Sequence, residues 1–228
     1  MSDDVRLPET LEVETASAPS ASVIWLHGLG ADGHDFEPIV PELGLAGDVA
    51  VRFVFPHAPH RPVTINGGYV MRAWYDMLPA PSGFTDNADH ILESEQRLRG
   101  LIARETGRGI ATDRIVLAGF SQGGAIALHT GLRYPQRLGG ILALSTYVPI
   151  PEAISPGGQS PAPVAGLPVF LAHGDRDPLI PRSLAEASRE LLQEAGVKLE
   201  WHAYAMEHTV NLEEIADIGR WLGGLLRA

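Results

Sequence analysis

The sequence predicts an α/β protein with a mostly parallel, doubly wound sheet flanked by helices. Three observations carry that expectation. Strand-like apolar runs alternate with helix-like runs along the chain, the order that parallel strands and crossover helices require. One strand-to-helix junction is the tight turn Gly119-Phe120-Ser121-Gln122-Gly123. The 228 residues suit one α/β domain, since such folds run past 200 residues undivided. The expectation is therefore one domain over 1–228 with no large separate cap.

Taken in order, residues 10–22, rich in Ser, Ala and Thr, read as an early edge strand and its approach loop. The apolar run Val23-Ile24-Trp25-Leu26 gives a buried strand at 23–27. A helix is expected at 35–43 and a strand at 51–55. At 86–106 a helical stripe of Ile91, Leu92, Leu98, Leu101 and Ile102 lies behind an acidic first turn with Asp86 and Asp89. Strands follow at 115–120, 141–145, 168–173 and 199–204, and helices at 122–133, 183–195 and 211–226. Ser183, two residues after Pro181, is the expected cap of its helix. Residues 56–85 and 147–167 carry Pro, Gly and aromatics or small residues with no clear period. Long loops within a compact domain are often functional.

The junction at 119–123 is Gly-x-Ser-x-Gly between an apolar run, Ile115-Val116-Leu117-Ala118, and a helix-like run, Gly124 to His129. In that setting the turn lifts the Ser oxygen above the sheet as a nucleophile. The plain alternative is an ordinary turn with an N-capping Ser. A Ser hydroxyl needs a His as base and an acid to orient that His. Downstream, Pro168 to Ala172 runs into His173-Gly174-Asp175-Arg176-Asp177-Pro178, and Trp201 to Met206 runs into Glu207-His208. Asp177 and His208 thus follow Ser121 in the order Ser, acid, His, each just past a strand's C-terminal end, where open α/β sheets hold their sites. Asp175 is the rival acid, with a competing role of holding the turn through backbone hydrogen bonds.

Among the other histidines, His173 reads as structural, and His202 as facing solvent or a neighbouring helix. His129 lies two helical turns past Ser121, too far to be its base. His27, His57 and His60 are candidates for the pocket. No pair has the i, i+4 spacing of a zinc site and there is no Cys, so no metal is expected. The segment His27-Gly28-Leu29-Gly30 after the first buried strand brings a bare backbone N–H toward a substrate oxygen. Leu29 N–H and Gln122 N–H are the expected oxyanion donors. Gly28, Gly30 and Gly33 also match a dinucleotide spacing, but the following Asp35 and Glu37 make an acidic first turn that would repel a pyrophosphate.

These segments resemble the carboxylesterase and acyl-protein thioesterase group of small α/β-hydrolases, the phospholipase/carboxylesterase family. The resemblance is carried by Leu26 to Gly33, Phe55 to Pro59, Met71 to Asp76, Gly119 to Gly124, His173 to Pro178 and Met206 to His208, in family order over most of the chain. It implies an α/β-hydrolase fold, a triad of Ser121, Asp177 and His208, and Asp177 rather than Asp175 as the acid. One departure stands out: the family usually has Gly before the catalytic His, and this chain has Glu207.

The expected activity is hydrolysis of short to medium acyl esters through an acyl-enzyme on Ser121, with no cofactor. Acyl-protein thioesterase or lysophospholipase activity is the rival within the class. A hydrolase scaffold that binds without chemistry is the rival outside it. Met71, Trp74, Tyr75, Tyr147, Val148 and Leu179 are the candidate acyl-pocket residues. Partners are thus a small acyl ester or thioester and, as an open option, a second copy in a homodimer. A net charge of −11 disfavours nucleic acid and anionic membrane surfaces. The absence of Cys excludes disulfides and thiol catalysis. No apolar run approaches a membrane span and no signal peptide is evident at Met1 to Arg6, so a cytoplasmic location is expected.

Overall fold

The computed structural model describes residues 6–45, 49–81, 83–153 and 164–227. Its strands and helices run β1 Thr10–Glu14, β2 Ala21–Leu26, β3 Val51–Pro56, β4 His60–Val63, β5 Tyr69–Arg72, β6 Met77–Ala80, β7 Gly83–Asp86, α1 Ala88–Gly107, β8 Ile115–Phe120, α2 Gln122–Gly131, β9 Gly140–Leu144, β10 Pro168–Gly174, α3 Arg182–Glu194, β11 Lys198–Tyr204 and α4 Leu212–Leu226. Seven strands form the main sheet in the order β1-β3-β2-β8-β9-β10-β11. Only the edge strand β1 is antiparallel to its neighbour; the other pairs are parallel. This is an α/β-hydrolase fold.

The central strands are apolar on both faces because helices cover both. Ile24, Leu26, Leu117, Ile141 and Leu171 pack with residues of α1, α2 and α3, such as Ile91, Leu98, Ile126 and Leu192. The alternate residues Val23, Trp25, Val116, Leu142 and Phe170 pack on the other face with Ile215, Ile218 and Leu222 of α4. Asn87 caps α1, its side chain accepting from His90 N–H, and Asn211 caps α4 in the same way through Glu214 N–H.

Three expectations need correction. Residues 35–43 form two 3₁₀ turns, Glu37–Ile39 and Pro41–Leu43, not one helix. Pro38 and Pro41 remove two amide donors, and each ring obstructs the preceding turn, while Phe36, Val40 and Leu43 still bury themselves against the α4 side of the sheet. Ser183 is not a cap: α3 starts at Arg182, after Pro181, with no side-chain cap. The described residues of the stretch expected to be irregular at 56–85 include two antiparallel strand pairs, β4–β5 and β6–β7. Asp76 pins the first hairpin by accepting from Thr64 N–H at 2.7 Å and Thr64 hydroxyl at 2.6 Å. Of the loop expected at 147–167, residues 154–163 lie outside the described residues.

Candidate active site

The turn after β8 has the shape that Gly-x-Ser-x-Gly implies. Ser121 has φ 53° and ψ −123°, a conformation that costs a non-Gly residue roughly 1–3 kcal/mol. Close packing on either side holds it there. A Cβ on Gly119 would lie 2.3 Å from the Gly123 backbone, and one on Gly123 would lie 2.3 Å from the Leu26 carbonyl oxygen. Both contacts are impossible for a larger residue, so α2 can pack against β2 and β8 only with glycine at these positions.

Asp177 and His208 come together from the ends of β10 and β11. His208 Nδ1 and Asp177 Oδ2 are 2.6 Å apart, and the Asp177 side chain is fully buried. The other carboxylate oxygen accepts from Leu179 N–H at 2.8 Å and Ile180 N–H at 2.9 Å. Asp177 therefore holds its own turn and has one oxygen left to orient the imidazole. Asp175 does not hold the turn with its side chain; that carboxylate is exposed and pairs with Arg182. His173 is buried, with Nε2 2.9 Å from the Ile180 carbonyl oxygen, and braces the same turn. The ring of Phe120 lies 4.7 Å from that of His208, so the residue before Ser121 packs against the imidazole. Glu207 is exposed, and its carbonyl accepts from Thr209 N–H.

Leu29 and Gln122 flank Ser121 in the wall of one cavity. The loop that carries Leu29 is tied down from behind. Trp74 Nε1 donates to His27 carbonyl oxygen, Gly30 N–H donates to Arg72 carbonyl oxygen, and Gly33 N–H donates to His57 Nδ1. His27 Nε2 accepts from Ala58 N–H, which leaves Nδ1 to donate to Gly28 carbonyl oxygen. Burial pushes the His27 imidazole down to about 4, so it is neutral at physiological pH. His27 and His57 thus brace the loop, and neither they nor the exposed His60 line the cavity. His129 instead joins α2 to α1 through Glu95, and His202 stacks on Phe170 and meets Glu200.

The cavity has a volume of about 390 Å³ and includes Ser121 and His208 in its lining. Of the six candidate acyl-pocket residues, Tyr75, Tyr147 and Leu179 line it and Met71, Trp74 and Val148 do not. Trp74 is buried and serves as a strut for the loop at 27–30. Met71 lies behind Gly30, with its sulfur 3.7 Å from where a Cβ there would be. Val148 packs toward α3, where its N–H donates to Ser188 hydroxyl. The lining residues that sequence reasoning did not single out as pocket candidates include Ile65, Asn66, Met77, Phe120 and Ile180. Met77 and Phe84 reach the cavity from the two strands of the β6–β7 hairpin, whose register pairs Met77 with Asp86 and Pro79 with Phe84. The Gln122 side chain also had an unforeseen part: it accepts from Trp74 N–H at 3.1 Å and donates to Tyr75 carbonyl oxygen at 3.0 Å. Among the described residues, no three His, Asp or Glu come together as metal ligands.

A mostly parallel sheet with Ser, Asp and His on the loops past its strand ends defines an α/β-hydrolase. Residues 9–225 match the family described as Phospholipase/Carboxylesterase. The chain is 39% identical over 217 residues to acyl-protein thioesterase 1 of Yarrowia lipolytica, covering 93% of this chain and 95% of that one. It is 34% identical over 203 residues to carboxylesterase SOBER1 of Arabidopsis thaliana, covering 88% of each. The crystal structure of SOBER1 matches with a TM-score of 0.81 at 31% identity, over 90% of this chain and 99% of that one. The chain belongs to the phospholipase/carboxylesterase family and is a serine hydrolase of its carboxylesterase and thioesterase group. No helix among the described residues is long and apolar enough to cross a membrane.

Proposed function

We propose that this protein is a serine carboxylesterase that hydrolyses short to medium acyl esters through an acyl-enzyme on Ser121. The observation that carries the reading is the 2.6 Å contact between Asp177 and His208 Nδ1, in a protein whose Ser121 and His208 share one cavity. With Nδ1 bonded to Asp177, Nε2 is the ring nitrogen left to act as base. Ser121 Oγ attacks the substrate carbonyl carbon while His208 takes the hydroxyl proton. The carbonyl electrons move to oxygen, which the N–H groups of Leu29 and Gln122 stabilise. The tetrahedral species collapses, the leaving oxygen departs with the proton from His208, and an ester bond to Ser121 remains. Water then repeats the sequence, with His208 again as base, and releases the acid and free Ser121.

The same steps serve a sulfur leaving group, which needs less help from a proton. Thioester cleavage is therefore the second reading, favoured by the acyl-protein thioesterase relative at 39% identity. The test is kcat/KM on p-nitrophenyl esters from two to sixteen carbons beside an acyl thioester of matched chain. Faster turnover of the esters supports a carboxylesterase. A thioester advantage of tenfold or more at equal chain length, or about 1.4 kcal/mol in transition-state stabilisation, supports the thioesterase. Turnover of neither rules out both.

A further inference from the structure

One pair of rings separates the Ser121 cavity from a second space. Phe84 and Tyr147 line both, with centroids 5.9 Å apart. The space behind them has a volume of about 640 Å³; Val148, Ile150, Leu184 and Ala187 form the apolar part of its lining, beside the polar Thr85, Glu152 and Ser183. The rings are tethered. Tyr147 hydroxyl donates to Asp86 Oδ1 at 2.7 Å. A hydroxyl has one proton, so the 3.0 Å contact between the Tyr75 and Tyr147 hydroxyls has Tyr75 as donor. Tyr75 is itself fully buried, and its carbonyl is held by the Gln122 side chain beside the nucleophile. Asp86 and Phe84 are both on β7, so one strand supplies the first ring and anchors the second. Burial pushes the Asp86 carboxyl up to about 6; in either protonation state an oxygen lone pair remains for Tyr147. Acyl transfer at Ser121 does not require any of these three hydroxyl and carboxyl groups.

We propose that the Phe84–Tyr147 wall, tethered through Asp86, sets the length of acyl chain that Ser121 accepts, and that the space behind it takes the distal methylenes of a longer chain once the wall is removed. The inference rests on the acyl-enzyme reading above. A cavity of about 390 Å³ holds roughly 13 water-sized volumes of ~30 Å³. A carbonyl and a chain of about ten carbons fill such a space at close packing; about sixteen overrun it.

The experiment measures kcat/KM for p-nitrophenyl esters from two to sixteen carbons in the wild-type protein and in Phe84→Ala, Phe84→Leu, Asp86→Ala and Asp86→Asn. In parallel, thermal shifts with decanoate and palmitate are read on Ser121→Ala with and without Phe84→Ala. The wild-type profile peaks at about ten carbons or below. Phe84→Ala raises the ratio of the sixteen-carbon to the four-carbon rate by about tenfold or more, a modest yield for the several methylenes newly accommodated, and Phe84→Leu raises it less. Asp86→Ala moves the ratio in the same direction, and Asp86→Asn restores it, because the amide oxygen still accepts from Tyr147. A merely structural Asp86 would lower all rates together and leave the ratio alone. A ratio unchanged in a folded Phe84→Ala, or a wild-type optimum at sixteen carbons, overturns the proposal. Absence of turnover by the wild type defeats the esterase reading instead. Palmitate binding then decides the wall by itself: a larger shift with Phe84→Ala supports it, and equal shifts overturn it.

Discussion

Replacing Glu214 by glutamine makes the protein progressively more stable, relative to wild type, as pH rises. Glu214 lies in the first turn of α4 with no solvent exposure, and neither carboxylate oxygen has a hydrogen-bond partner among the described residues. Burial pushes its carboxyl from 4.5 up to about 8, a rise that the nearby Asn211 backbone opposes only in part. The sign follows from where the proton sits. Below the ordinary value both folded and unfolded chains hold it, and Glu214 adds no pH-dependent cost. Between about 4.5 and 8 the unfolded chain loses the proton and the folded one keeps it, so wild-type stability falls. Above that range the cost is constant. At ~1.4 kcal/mol per unit, the loss between pH 5 and pH 8 has a ceiling of about 3–4 kcal/mol. Local relaxation and water entry reduce it to roughly 2 kcal/mol. Glutamine leaves a buried amide in place of the acid, a cost that is the same at every pH and cancels in the comparison. Thermal or urea unfolding at pH 5, 6.5 and 8, followed by circular dichroism, reads the difference. For a chain of this size, 2 kcal/mol corresponds to about 4–8 °C in Tm. Wild type and variant that track each other within about 0.5 kcal/mol across that range would refute the reasoning.

Asp177→Asn lowers kcat by roughly 10³–10⁴, because the amide no longer holds the imidazole in the required tautomer; steady-state ester hydrolysis measures it. Asp175→Asn, at an exposed ion pair with Arg182, changes the same rate less than about threefold; a reversal of the two would exchange their roles. Gln122→Ala, which releases Trp74 N–H and Tyr75 carbonyl oxygen, lowers stability by about 1–3 kcal/mol, checked by urea titration. Glu207→Gly, which brings in the residue usual in the family, changes kcat/KM by only about twofold, as befits an exposed side chain; a large change in the pH–rate profile would contradict the exposed placement.

The sheet was legible because its central strands are short, continuous apolar runs between turn residues. Val23 to Leu26 and Val169 to Ala172 serve both cores by simple alternation. The helix at 88–107 was legible for the same reason: its apolar spacing is local information. Residues 35–43 misled because their burial is helix-like while Pro38 and Pro41 forbid the hydrogen bonds of a regular helix. The hairpins at 60–86 were hidden because their pairing depends on Asp76 reaching back to Thr64 and on contact with α1, which no local period reports. At the site, the Gly-x-Ser-x-Gly turn and chain order pointed to Ser121, His208 and an acid at 175 or 177, and the family resemblance chose Asp177 between the two carboxylates. The pocket was only half legible, since Trp74 and Tyr75 are adjacent in sequence and equally buried. One faces the loop at 27–30 and the other the cavity, with the Gln122 side chain holding the backbone of both, and no local pattern reports that arrangement.

The central claim is that Ser121 is the nucleophile, and the most direct measurement is covalent labelling with a fluorophosphonate followed by peptide mass spectrometry. The account predicts one adduct per chain, on Ser121, lost in Ser121→Ala and formed at least about 10²-fold more slowly in His208→Ala, where no base takes the hydroxyl proton. An unlabelled wild-type protein, or an adduct on another residue that persists in Ser121→Ala, would contradict it.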